Sequence, residues 1–210
     1  IDENVTTSGS SVIRDALRQT PDIAVTNPDG SWGGAFNPNG WVNSIINPYA
    51  IALINKDNTK RNQLFGNLYA EINFTKFLVY RSELTSSFSM ATQDQFFPSY
   101  EMGRVIREDN NGAYRFQQRS HNTVRNYLTY SKMLGERYNL NVMSGHETQL
   151  IKSENVSASR FTYPSNNVQA INAGDPETAL NSGDKGHNAL ESYFGRLNFG
   201  FDDKYLLTGN

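Results

Sequence analysis

The sequence predicts an all-β chain: a segment of a large antiparallel transmembrane β-barrel, with about six strands in three hairpins. Three observations carry this. Apolar and polar residues alternate with period two over runs of about a dozen residues, longer than the five or six of an ordinary globular strand. Short turns sit near residues 75, 136 and 203, roughly 60–67 residues apart. Between the hairpins lie polar stretches at 91–119 and 153–189, longer than the loops that compact domains carry without structure of their own. Short turns on one side and long loops on the other are the asymmetry of outer-membrane barrels.

The first hairpin is the clearest. Leu64, Leu68, Ile72 and Phe74 alternate with Gln63, Asn67, Glu71 and Asn73. After the turn at Thr75-Lys76, Leu78, Tyr80, Leu84 and Phe88 alternate with Arg81, Glu83, Thr85 and Ser87. Asn67, Glu71, Arg81 and Glu83 therefore share one face and are expected to line a wet lumen, while the leucines and Ile72 face lipid. In the second hairpin Val124, Leu128 and Tyr130 lead through Gly135-Glu136 to Tyr138, Leu140 and Val142. The third runs through Tyr193, Leu197, Phe199 and Phe201, turns at Asp202-Asp203, and re-enters with Tyr205 and Leu207. Aromatics gather at the turn ends, where an interfacial girdle belongs.

Residues 1–61 read as an extracellular loop region with one short helix near 11–19, capped by Ser10 or Ser11 and stopped before Pro21. Residues 62–210 read as the barrel hairpins. The first residue is not Met and the last run, Leu206 to Asn210, stops within a strand, so an internal segment is expected. Six strands do not close a membrane barrel, whose smallest members have eight.

Composition excludes several functions. Net charge is −2 with both signs scattered, which leaves no nucleic-acid footprint. Without cysteine there is no disulfide, thiolate metal site or cysteine nucleophile. Aromatic residues make up 12% of the chain, too many for a disordered one. His146-Glu147 lacks the second histidine of a zinc-protease motif, 183–187 lacks the P-loop spacing, and no Gly-x-Ser-x-Gly elbow is present. Glu71 and Glu83 face each other like a glycosidase pair, but Arg81 beside them favours lumen-lining acids. No enzyme, cofactor or metal is expected. Trp32, Trp41, Phe96, Phe97, Tyr100 and Tyr114 fall in the polar stretches among Asn, Asp and Arg, and are candidates for stacking on a substrate or packing against a partner.

Three ordered landmarks resemble a family: Asn27-Pro28-Asp29-Gly30-Ser31-Trp32-Gly33-Gly34, then Asn47-Pro48-Tyr49-Ala50-Ile51-Ala52-Leu53, then Asn67-Leu68-Tyr69-Ala70-Glu71-Ile72. With Ser192-Tyr193-Phe194-Gly195-Arg196-Leu197-Asn198-Phe199 and Asp203-Lys204-Tyr205-Leu206-Leu207-Thr208, they are similar to SusC/RagA-type TonB-linked outer-membrane transporters. The resemblance implies a plugged barrel of about 22 strands, with lipid around it. It also implies energy from TonB through a segment absent from this sequence, a capping SusD-like surface lipoprotein, and import of oligosaccharides or peptides. The alternative is a soluble extracellular β-rich domain that binds carbohydrate.

Overall fold

The computed structural model describes the chain except residues 1, 6–8, 22, 35–44, 103–104 and 203. In chain order the elements are β1 (Asp2–Val5), α1 (Gly9–Arg18), α2 (Pro48–Ile54), β2 (Lys56–Asn73), β3 (Leu78–Phe97), β4 (Tyr100–Met102), β5 (Val105–Arg107), β6 (Asn111–Leu134), β7 (Tyr138–Phe161), β8 (Leu180–Phe201) and β9 (Tyr205–Gly209). Two single 3-10 turns, Ile171–Ala173 and Pro176–Thr178, lie between β7 and β8. The main sheet is ordered β1-β2-β3-β6-β7-β8-β9, and β4 pairs with β5 alone. The expected hairpins are β2–β3, β6–β7 and β8–β9.

Each tight turn has a local cause. The Thr75 hydroxyl accepts hydrogen bonds from the N–H groups of Phe77 and Leu78, closing the first. Gly135 adopts φ 65°, the left-handed region that glycine enters without steric cost, and makes the second. Asp202, at φ 49°, donates its N–H to the Arg137 carbonyl at 2.9 Å.

The strands are longer than their alternation predicts. β3 runs to Phe97, β6 starts at Asn111, β7 ends at Phe161 and β8 starts at Leu180, so much of 91–119 and 153–189 is strand. The reason is that period two appears only where one face is dry. A strand polar on both faces pairs through its backbone alone and leaves no such pattern. The first 61 residues also hold more structure than one helix. β1 pairs antiparallel with β2, Asp2 opposite Arg61, and α2 follows the cap residue Asn47 with Pro48 in its first turn.

The chain divides into two compact units. The first, 1–62 with 90–117 and 155–184, holds every buried apolar side chain found among the described residues: Ala50, Phe96, Pro98, Met102 and Tyr163. Phe96 and Tyr163 meet edge to face at 5.2 Å. The second unit, 63–89 with 118–154 and 185–210, is sheet alone. A single layer has no dry interior, so its large apolar residues are exposed. Leu64, Leu68, Leu84, Val124, Leu128, Val142, Tyr193 and Leu197 all lie at the surface. No described helix is long and apolar enough to cross a membrane, which says nothing of crossing by strands.

Side-chain contacts fix which residues share a face. Asn67 donates to Thr85 at 2.8 Å, and Arg81 lies between Glu71 and Glu83. On the opposite face Tyr80 donates to Asn126 at 2.7 Å, and the His146 ring lies 4.8 Å from that of Tyr193. The leucines of β2 fall on this second face. Arg or Lys facing hydrocarbon at mid-depth costs about 2–4 kcal/mol. Leu68→Arg is therefore expected to impair assembly of the intact protein, and Asn67→Arg to be tolerated. Heat-modifiability on gels measures both, and equal tolerance would overturn the assignment of faces.

Candidate functional site

Two groups of residues carry chemistry, one in each unit. In the first unit the Asn27–Trp32 turn is built by Asp29. Its carboxylate accepts from the Ser31 N–H (2.9 Å) and hydroxyl (2.7 Å), and Gly30 takes φ 84°. The Ser31 hydroxyl, then its N–H, hold the Asp29 carboxyl below the usual aspartate range. Trp32 bridges to Thr26, and its ring meets Tyr49 edge on at 6.4 Å.

Asn47 holds this arrangement together. Its side-chain oxygen caps α2 by accepting from the N–H groups of Tyr49 and Ala50, both at 3.1 Å. Its amide donates to the carbonyls of Val25 (2.8 Å) and Gly33 (3.1 Å), and the residue is only 4% exposed. Any side chain at Gly33 would collide with the Ala24 carbonyl oxygen, 1.6 Å from where its Cβ would stand. The Asn-Pro pair marks a helix start in sequence, but the long-range half of this clamp leaves no sequence signal.

The candidate aromatics separate. Phe96 is 1% exposed and belongs to the core with Tyr163, so its expected role as a surface contact is corrected. Its neighbour Gly112 leaves space for that pair, since a Cβ there would stand 2.4 Å from the Tyr163 hydroxyl. Burial, chiefly, pushes the Tyr163 phenol up. Phe97 and Tyr100 come together around Arg107, which lies 5.6 Å over the Phe97 ring and opposite Tyr100 in the β4–β5 ladder. Tyr100 and Arg107 line a recess of about 210 Å³ with Val12, Asp15, Pro48 and Asn55. Tyr114 stands exposed on β6, and Trp41 lies outside the described residues. A second buried amide, Asn110, accepts from the Tyr163 N–H at 2.6 Å and donates to Asn166 and to the Tyr163 carbonyl.

The second group is the polar face of the wall. Arg81 donates to Glu83 through Nε (2.9 Å) and Nη2 (2.5 Å), lies 3.9 Å from Glu71, and sits 4.2 Å over the Tyr69 ring. Tyr127 donates to Glu83 at 3.3 Å, and Arg125 pairs with Glu147. One guanidinium engages both Glu71 and Glu83, so the pair serves as its counter-charge. Tyr69, Arg125, Tyr127 and Glu147 extend the four residues singled out from sequence; Tyr127 and Glu147 enter through strand pairing that no local pattern reveals. Among the described residues no group of three metal-ligating side chains gathers.

Asn47→Ala is expected to destabilise the Ala24–Gly34 region by about 2–4 kcal/mol, since it removes a cap and leaves two carbonyls without their donors. Asn47→Asp, which keeps the cap, should lose less. Hydrogen exchange and limited proteolysis of the intact protein report both, and unchanged protection in Asn47→Ala would overturn the clamp. The depressed Asp29 carboxyl contributes stability that is complete above the ordinary aspartate range and is lost as pH falls below it. Loosening of the 27–32 turn should thus appear only under strongly acid conditions, and should appear at neutral pH in Asp29→Ala.

No family model matches the chain. Two curated proteins of Formosa agariphila resemble it over nearly its whole length. TonB-dependent receptor P3 is 27% identical over 206 residues, 96% of this chain and 20% of that protein. TonB-dependent receptor P26 is 26% identical over 198 residues, 92% of this chain and 20% of that protein. Among solved structures, the RagAB peptide transporter superposes with TM-score 0.70 at 19% identity, covering 83% of this chain and 20% of that one. The RagAB peptide importer in its closed-closed state gives 0.69 at 19%, covering 82% and 20%. The chain thus spans about a fifth of the length of the relatives it matches. Over nearly its whole length the chain is thus similar to a segment of two TonB-dependent receptors, and it shares the fold of a segment of the RagAB transporter.

Proposed function

We propose that this chain forms part of the wall and outer loops of an importer that takes up oligosaccharides or peptides together with a SusD-like surface lipoprotein, drawing on TonB through another part of the protein. The observation that carries this reading is the opposite chemistry of the two faces of one sheet. One face exposes Leu64, Leu68, Val142 and Leu197, and the other joins Glu71, Arg81, Glu83, Arg125 and Glu147 in ion pairs. Water-soluble solutes pass along the second face, which makes Asn67, Glu71, Arg81 and Glu83 lumen-facing; lipid covers the first. A soluble carbohydrate-binding domain gives no reason for so much apolar area on one sheet face.

In this reading the turns at 74–77 and 135–137 are periplasmic, and residues 1–61 with the connections around 98–110 and 162–179 face outward. Single cysteines test it cleanly, because the chain has none. An impermeant maleimide on intact cells should label Asp109→Cys, and should label Glu136→Cys only after the outer membrane is opened. The reverse result would invert the topology.

The outer aromatics contact substrate or lipoprotein. Trp32, Trp41, Phe97, Tyr100 and Tyr114 offer large rigid faces at low conformational-entropy cost. Truncating one aromatic anchor is expected to weaken such a contact about five- to thirty-fold. Trp32→Ala with Tyr100→Ala should slow growth on the cognate nutrient, or reduce co-purification of the lipoprotein, while barrel assembly stays normal. Growth on peptide against growth on glycan as sole source separates the two substrate classes. Unchanged growth and co-purification would leave these rings with only a structural role.

A further inference from the structure

The polar face of the second unit carries aromatic rings among its ion pairs, and strand register sets them in line. Asn67 with Thr85 and Glu71 with Arg81 share one β2–β3 register, which puts Tyr69 opposite Glu83. Arg125 with Glu147, and Ser131 with Asn141, share one β6–β7 register, which puts Tyr127 opposite Gly145. Glu154 with Lys185, and Tyr138 with Phe201, do the same for β7 and β8, and put Gly145 opposite Phe194. Tyr69, Tyr127 and Phe194 thus follow one another across β2, β6 and β8. In the strand order β2-β3-β6-β7-β8 the outer two stand four spacings apart, about 19 Å along the sheet.

Each ring is placed by its neighbours. The Phe194 ring lies against the backbone of Gly145, where a Cβ would stand 2.3 Å from it, and meets Tyr127 edge to face at 5.9 Å. Tyr127 donates to Glu83 at 3.3 Å. Arg81 covers one face of the Tyr69 ring at 4.2 Å, yet Tyr69 is 63% exposed, and Phe194 is 37% exposed. Between the rings the charges do not balance. Three carboxylates, Glu71, Glu83 and Glu147, face two guanidinium groups, Arg81 and Arg125. Both guanidinium groups are engaged by carboxylates, and Glu71 stands 3.9 Å from Arg81, beyond hydrogen-bond length. These five groups therefore carry one surplus negative charge, and Glu71 keeps acceptor lone pairs.

Resting on the lumen-facing reading of this face, we propose that it carries a binding site for a neutral oligosaccharide laid across the strands. Tyr69 and Phe194 stack on sugar rings, and Glu71, Glu83 and Arg125 take their hydroxyl groups. Exposed aromatic faces suit the C–H face of a sugar ring. Carboxylate and guanidinium groups already held in place accept from and donate to hydroxyls without further ordering. The span of about 19 Å asks for several linked sugars. An acidic glycan meets a surplus of negative charge and no free cation among these five groups. A peptide draws main-chain affinity from an unpaired strand edge, and β3, β6 and β7 are paired on both sides.

The test measures binding to the purified intact protein of cello-, xylo- and manno-oligosaccharides, of oligogalacturonates, and of tryptic peptides. At least one neutral series is expected to bind, and oligogalacturonates more weakly. Tyr69→Ala/Phe194→Ala should weaken the neutral binding about ten-fold while heat-modifiability stays normal. Tyr69→Phe/Phe194→Tyr should keep it, which separates loss of stacking from a folding defect. Glu71→Gln should raise oligogalacturonate binding relative to the neutral series, and an unchanged ratio would overturn the selection by charge. Binding of no neutral series, or equal binding by wild type and the double alanine variant, would overturn the proposal. A preference of wild type for peptides or oligogalacturonates would also overturn it and assign the wall to that class. The Leu68→Arg and Asn67→Arg assembly assay reports separately on which face meets the lumen, so failure of that reading is distinguishable from failure of this one.

Discussion

Sideways backbone pairing is the constraint on which the rest of this structure depends. The second unit is a single layer among the described residues, so the N–H and C=O groups of its strands are satisfied by their neighbours within that layer. In lipid an unpaired backbone group costs several kcal/mol, which favours long, regular, bulge-free strands. β7 keeps one register against β8 from the Tyr138–Phe201 ring contact to the Glu154–Lys185 ion pair. Because register is constant, parity is constant, and a single choice of face holds along the whole strand.

That constancy is what allows one sheet to do two unlike things. Apolar side chains on one face need no partner within the protein, and Leu64 and Leu68 have little cover. Those on the other face carry charge, and there ion pairs and hydrogen bonds replace water: Arg81 with Glu83, Arg125 with Glu147, Asn67 with Thr85. Surface ion pairs of this kind contribute little to stability one by one. They do hold the long side chains in defined positions along a polar wall.

The first unit obeys a different rule. It has a small dry core around Phe96, Met102, Ala50 and Tyr163, and its irregular backbone is satisfied by buried amides. Asn47 and Asn110 each tie segments far apart in sequence, supplying both an acceptor and donors from one short side chain. Loop order here rests on specific hydrogen bonds, where wall order rests on repetition.

The division of information follows from this difference. Repetition is visible in a single sequence, so the alternating runs at Leu64–Phe88, Val124–Val142 and Tyr193–Leu207 are enough to assign the three hairpins and their turns, and the first of them the face that Asn67, Glu71, Arg81 and Glu83 share. Where both faces of a strand are wet, alternation vanishes. The ends of β3, β6, β7 and β8 were therefore illegible, and 91–119 and 153–189 read as loops. The roles of single residues in the first unit depended on contacts at long range. Phe96 is core and Phe97 half-buried under Arg107 although they are adjacent, because Phe96 meets Tyr163, some 67 positions away. The meeting of Tyr127, Gly145 and Phe194 likewise exists only through pairing of β6, β7 and β8. The sequence by itself determined the class of fold and the two faces of its wall, since these follow from a period of two. Only the tertiary structure decided which side chains meet, because strand register and loop closure join residues that no local pattern connects.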